Sequence, residues 1–163
     1  MNIHIELKYK QYVGDAAIPK IIGMPIELYR YLSNAETMQQ LAESEKVRIK
    51  ARTSMGVDYI NNTFHPYAKS TQKQKQKKGR YGGVVNLFNT GNMLASMDDE
   101  GKERIGRLLF RKTEEGVKAG RLNDGTPGGK LPPRPFFQVS PNDEKNFVTI
   151  LEKKISEWQV KNG

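Results

Sequence analysis

The run Ser70-Thr71-Gln72-Lys73-Gln74-Lys75-Gln76-Lys77-Lys78-Gly79-Arg80-Tyr81-Gly82-Gly83 constrains this chain most. Apart from Tyr81 it offers almost nothing to bury, so the core must be assembled from residues on either side of it. The run repels itself and ends in glycines. Residues 59–97, which enclose it, hold six basic groups and no acid. The expectation is a mobile basic loop over 69–83, and a loop that long inside a compact domain is usually functional. Lys69, Lys73, Lys75, Lys77, Lys78 and Arg80 are therefore candidate contacts to a partner or to DNA; the plain alternative is a solvated surface excursion.

Locating the charge sharpens this reading. The 163 residues carry a formal net charge of +9. Residues 1–58 contribute +1 and residues 98–163 contribute +2, so +6 sits on residues 59–97. Leu, Ile, Val and Phe together number 37, which supports a small core with extended excursions. The length suits one domain, 1–163. With no cysteine, a disulfide scaffold, thiolate zinc sites and cysteine nucleophiles are excluded. No apolar run approaches the roughly 18 residues needed to span a bilayer. The start, Met1 to Glu6, has no signal-peptide core. A soluble, intracellular chain with no membrane partner is expected.

Periodicity outlines an α+β fold. Ile3, Ile5, Leu7 and Tyr9 alternate with polar residues, as in a half-buried strand. Residues 15–32 are broken by Pro19, Gly23 and Pro25 and predict one or two short helical pieces. Ser33-Asn34 can cap a longer helix from about Ala35 to Arg52, with Met38, Leu41 and Ala42 on one face. Asp98 to Lys102 reads as a solvated reverse turn. Glu103 to Arg111 reads as a strand with Gly106 as a bulge, so residues 96–111 form a hairpin. Thr113 to Ala119 is expected to make one helical turn, Leu122 to Pro133 a loop, and Phe136 to Val139 a short strand with Phe136 and Phe137 on opposite faces. The last helix is the clearest element. Ser140 is its N-cap, Pro141 fits the first position and Asp143 favours the positive end of the helix dipole. Phe147, Leu151, Ile155 and Trp158 line one face.

Sites for chemistry are scarce. A phosphate loop at Gly125–Lys130 would need Gly at Asp124, Ser or Thr at Leu131, and a helix where Pro132-Pro133 stands. His4 and His65 lie about sixty positions apart, outside any metal-ligand spacing. No serine sits in a nucleophile elbow. No catalytic, cofactor or metal residue is assigned, and an enzyme is not expected. The basic run can neutralise phosphates but shows no recognition helix or RNA-binding module.

Three segments, in order, complete the reading. They are Phe64-His65-Pro66-Tyr67-Ala68-Lys69-Ser70-Thr71, Leu87-Phe88-Asn89-Thr90-Gly91-Asn92-Met93-Leu94-Ala95-Ser96, and Pro132-Pro133-Arg134-Pro135-Phe136-Phe137-Gln138-Val139-Ser140. Together they resemble the bacteriophage virion-morphogenesis or tail-completion family, with its related neck and minor tail proteins. The resemblance runs from about Ala35 to Trp158 and leaves 1–34 uncovered. Where such proteins often carry Tyr-Ala and His-x-x-Gly, this chain has Glu115-Gly116-Val117-Lys118-Ala119-Gly120.

The resemblance implies a small antiparallel sheet flanked by a long central helix and a C-terminal amphipathic helix, with a long basic loop. It implies a non-enzymatic virion protein without cofactor, located at the neck or tail and in the host cytoplasm during assembly. It would form a ring that docks head to tail, as a neck, tail-completion or tail-terminator protein. Its partners would be copies of itself and connector or tail-tube proteins, with non-specific contact to DNA in the lumen. Thr90, Gly91, Met93, Ser96, Arg134, Pro135 and Phe136 are then candidates for subunit contacts or for fold maintenance. A basic, non-sequence-specific nucleic-acid-binding protein is the alternative.

Overall fold

The computed structural model describes residues 4–9, 12–17, 25–80, 83–88 and 90–163. Expectations for Ile3, for 18–24 and for Tyr81 and Gly82 lie outside them. The fold is α+β. Strands β1 (His4–Tyr9) and β2 (Tyr12–Ala17) pair antiparallel. Helix α1 (Ile26–Leu32) leads into the long helix α2 (Ala35–Met55). Helices α3 (Lys69–Lys77) and α4 (Asn92–Ala95) precede the hairpin of β3 (Met97–Lys102) and β4 (Ile105–Phe110). Helices α5 (Thr113–Asp124) and α6 (Pro141–Asn162) complete the chain.

The sheet order is β2-β1-β4-β3. The β3–β4 hairpin is antiparallel, as expected, and so is the β1–β2 pair, but β1 runs parallel to β4, with Leu7 opposite Leu108. The sheet is therefore mixed. Strand β2 was not expected, because Gly14, Asp15, Ala16 and Ala17 are weak strand formers.

Helix α2 forms where the capping pattern places it. The Asn34 side chain accepts the Thr37 N–H at 2.8 Å. The helix runs past Arg52 to Met55 and stops at Gly56, which has a left-handed φ of 79°. A side chain there would strike Val84 and the Val85 carbonyl. Its buried face carries Met38, Leu41, Ala42 and Ile49, and also Glu45 and Arg52.

Helix α2 packs chiefly on β3 and β4. This contact corrects the reading of Asp98 to Lys102 as a solvated turn. The turn lies at Glu103-Arg104, with Arg104 at φ 68°, and the acids belong to β3. Asp99 points at α2, where the Gln39 amide and the Lys46 ammonium both donate to its carboxylate. Gln39 also accepts the Gly101 N–H at 2.6 Å. Gly106 sits in regular register opposite Gly101, without a bulge.

Further corrections follow from packing. Helix α5 makes three turns, not one, and buries Glu115, Gly116, Ala119 and Asn123 at helical spacing. Phe136 and Phe137 do not lie on a strand, and both are fully buried. Phe137 meets Phe110 with ring centres 5.1 Å apart. The 69–83 segment contains helix α3, which replaces the expected mobile loop. Lys and Gln are good helix formers, so a surface that fixes one end suffices to order them. The loop reading of Gly125–Lys130 is matched by a single 3-10 turn at Pro127–Gly129.

Gly101 tests the sheet–helix contact. A Cβ there would lie 2.2 Å from the Ala35 carbonyl oxygen and 2.4 Å from the Gln39 nitrogen, both backbone atoms. Gly101→Ala should cost about 1–3 kcal/mol by overpacking, read as a lower midpoint in urea unfolding.

Candidate functional site

Residues distant in sequence meet at Tyr67. The guanidinium of Arg134 lies 5.3 Å from the ring centre and the Lys75 ammonium lies 4.3 Å from it. Arg134 donates from Nε to the His65 carbonyl at 3.0 Å and from Nη2 to the Pro66 carbonyl at 3.2 Å. Lys75 donates to the Tyr67 hydroxyl at 3.0 Å and to the Phe88 carbonyl. The three segments that carry the family resemblance are thereby joined. The first supplies Tyr67 and its preceding carbonyls, the second the Phe88 carbonyl, and the third Arg134. Prolines on both sides of Arg134 stiffen the backbone that delivers it. The Arg134 N–H donates to the Leu122 carbonyl at 2.8 Å, and the Phe137 N–H to the Asn123 side chain at 2.9 Å, which fixes the segment to α5.

The predicted contact residues therefore divide. Lys75 is 5 % exposed and serves inside the chain. Lys69, Lys73, Lys77, Lys78 and Arg80 are exposed. Arg134 is 2 % exposed, so it is not available for a neighbour's carboxylate, and its partners are carbonyls of its own chain. Met93 and Phe136 are likewise buried. The Pro135 carbonyl accepts the Tyr59 N–H at 3.2 Å. Gly91 has φ 82° and opens α4, and a Cβ there would strike the Phe88 ring. The Ser96 hydroxyl donates to the Met93 carbonyl at 2.8 Å. Thr90 faces outward. A cleft of about 320 Å³ opens beside it, floored by Leu87, Met93, Leu122 and Leu131, with Lys118 and Arg121 at its rim.

A second cluster lies at the junction of α2 and α6. Ser140 and Asp143 form a reciprocal capping box: the Asp143 N–H donates to Ser140 Oγ at 3.0 Å and the Ser140 N–H to the Asp143 carboxylate at 2.8 Å. The same carboxylate receives Arg48 Nε and Arg52 Nη1. Arg52 also donates to the carbonyls of Phe136, at 3.2 Å, and Gln138. Glu45 lies 3.4 Å from Arg52 and is fully buried. Burial, and then the charge of Asp143, push the Glu45 carboxyl up to about 9, against the pull of Arg52 and Arg48. Burial acts on Asp143 in the same upward sense. The hydrogen bonds from Arg48 and Ser140 and the charge of Arg52 outweigh it and hold that carboxyl below its ordinary value. The cluster thus keeps one carboxylate charged and one carboxyl protonated. Periodicity could have exposed it, because Glu45 and Arg52 interrupt the apolar stripe of α2 one heptad apart.

Among the described residues, no group of three or more His, Asp or Glu side chains is placed to hold a metal ion. Set against protein-family models, curated proteins and solved structures, the chain matches none of them.

Two outcomes test these clusters. Glu45 binds its proton more tightly folded than unfolded, so its contribution to stability falls as pH rises from about 4.5 toward about 9. Asp143 acts oppositely and loses its contribution only in acid, below the ordinary carboxylate range. Urea melts across this range should show wild-type stability declining with pH, and Glu45→Gln should flatten the decline. Arg134→Lys keeps the charge but cannot span two carbonyls, and should cost about 1–3 kcal/mol in the same assay.

Proposed function

We propose that this chain is a structural protein of a bacteriophage virion, placed at the head–tail junction or the tail end, where copies form a ring that docks head to tail. The observation that supports this is the union of the three family-like segments around Tyr67. They run from Phe64 to Ser140; the first and third meet directly through Tyr67 and Arg134, and Lys75 ties in the second through the Phe88 carbonyl. A segment pattern maintained by mutual contact belongs to one scaffold, and a rigid scaffold suits a protein that works by assembly.

A surface for a second copy is available at the C-terminal end of α2. Met55, next to Gly56, is 64 % exposed, and Val84, lying over Gly56, is 45 % exposed. Apolar side chains gathered at one place on a surface are suited to burial between subunits. No helix among the described residues is long and apolar enough to cross a membrane.

Native mass spectrometry and electron microscopy of the purified chain should show a discrete ring. The pair Met55→Glu and Val84→Glu should return it to monomers with the melting temperature within a few degrees of wild type. A chain that stays monomeric at high concentration would overturn the ring.

A further inference from the structure

Helix α3 presents two different faces. At 3.6 residues per turn, Lys69, Lys73 and Lys77 fall within an arc of about 80°. All three are exposed, as are Ser70, Gln74 and Gln76 beside them. Lys75 lies on the opposite side, held by Tyr67 and the Phe88 carbonyl. Gln72 adds a hydrogen bond to the Tyr67 carbonyl at 2.7 Å. The inner contacts fix the helix to the body. The outer row carries three cations with no ion-pair partner among the described residues.

The composition of that row points to its partner. Protein interfaces centre on buried aromatic or aliphatic anchors and are depleted in lysine. The outer face of α3 has no apolar side chain, only Lys, Gln and Ser. Those are side chains that meet phosphate and sugar oxygens. It also has no aromatic ring on which an unpaired base could stack, and Tyr67 is occupied between Arg134 and Lys75. The rise of the helix spaces successive lysines of the row by about 6 Å. Duplex DNA carries one charge per about 1.7 Å of axis, so each ammonium on its flexible stem reaches a phosphate.

We infer that the outer face of α3 lies along the phosphate backbone of duplex DNA through Lys69, Lys73 and Lys77, without reading base sequence. The inference does not depend on the ring, because it concerns binding by the chain itself, and a monomer that binds DNA would separate the two.

The experiment is fluorescence anisotropy with a short random-sequence duplex, titrated between about 50 and 200 mM salt. The triple variant K69Q/K73Q/K77Q should reduce the slope of log K against log salt by about 2.7, at about 0.9 per phosphate contact. K73Q alone should reduce it by about 0.9, which keeps the test open if the triple variant folds poorly. K153Q, an exposed lysine on α6, should leave the slope unchanged. Poly-L-glutamate at equal charge concentration should displace little of the duplex, and an oligo-dT strand should bind more weakly. An unchanged slope in the lysine variants would sink the proposal. So would equal displacement by poly-glutamate, which would assign the face to an acidic protein, or tighter binding of oligo-dT.

Discussion

The start of helix α6 is held to α2 chiefly through one carboxylate, with an Asn146–Ser44 hydrogen bond one turn further on. Asp143 closes the first turn of α6 by its box with Ser140, and it also receives Arg48 and Arg52 from α2. The cost of burying an arginine is offset where its donors find partners, and the two Nη groups of Arg52 meet Asp143, Glu45 and two backbone carbonyls, while its Nε has none. Those carbonyls, on Phe136 and Gln138, belong to the segment that carries Phe136 and Phe137 into the core. The ion pair therefore ties the first turn of the C-terminal helix, and the path of the residues before it, to α2. Glu45 sits behind this pair and stays protonated first because burial disfavours its charged form, and then because a second negative charge would face Asp143.

The elements most legible in the sequence were those specified locally. The start of α6 followed from Ser140, Pro141 and Asp143, and the start of α2 from Asn34. The break that Glu45 and Arg52 make in the apolar stripe of α2 was legible, but not that Asp143, some ninety residues away, meets Arg48 and Arg52. The same holds for β3. Its Asp98-Asp99-Glu100 resembles a turn, since those residues are poor strand formers. Only the arrival of Gln39 and Lys46 makes an inward Asp99 acceptable. Of the candidate site, the residue list was legible but the roles were not. Arg134 and Lys75 look like surface cations, yet both are turned inward by Tyr67 and by backbone carbonyls that composition cannot reveal.

The two inward cations have related tasks. Each faces Tyr67 and each binds at least one main-chain carbonyl, so each fixes a stretch of irregular backbone that lacks a sheet or helix of its own. Charged donors make such bonds stronger than neutral ones. The result is order in residues 64–68 and 85–88 without regular secondary structure. The remaining lysines of α3 are left facing outward on a helix whose attitude is already set.

The parallel contact of β1 on β4 governs the order of folding. His4 pairs with Ile105, so about a hundred residues must be looped out before that ladder can close. The hairpin of β3 and β4 and its packing on α2 need far shorter loops and form a template first. On the ribosome, β1 and β2 emerge well before β4, yet the edge they complete does not exist until β4 has been made. The β1–β2 hairpin must wait with one side unpaired until then, and that side is where self-association during folding would begin.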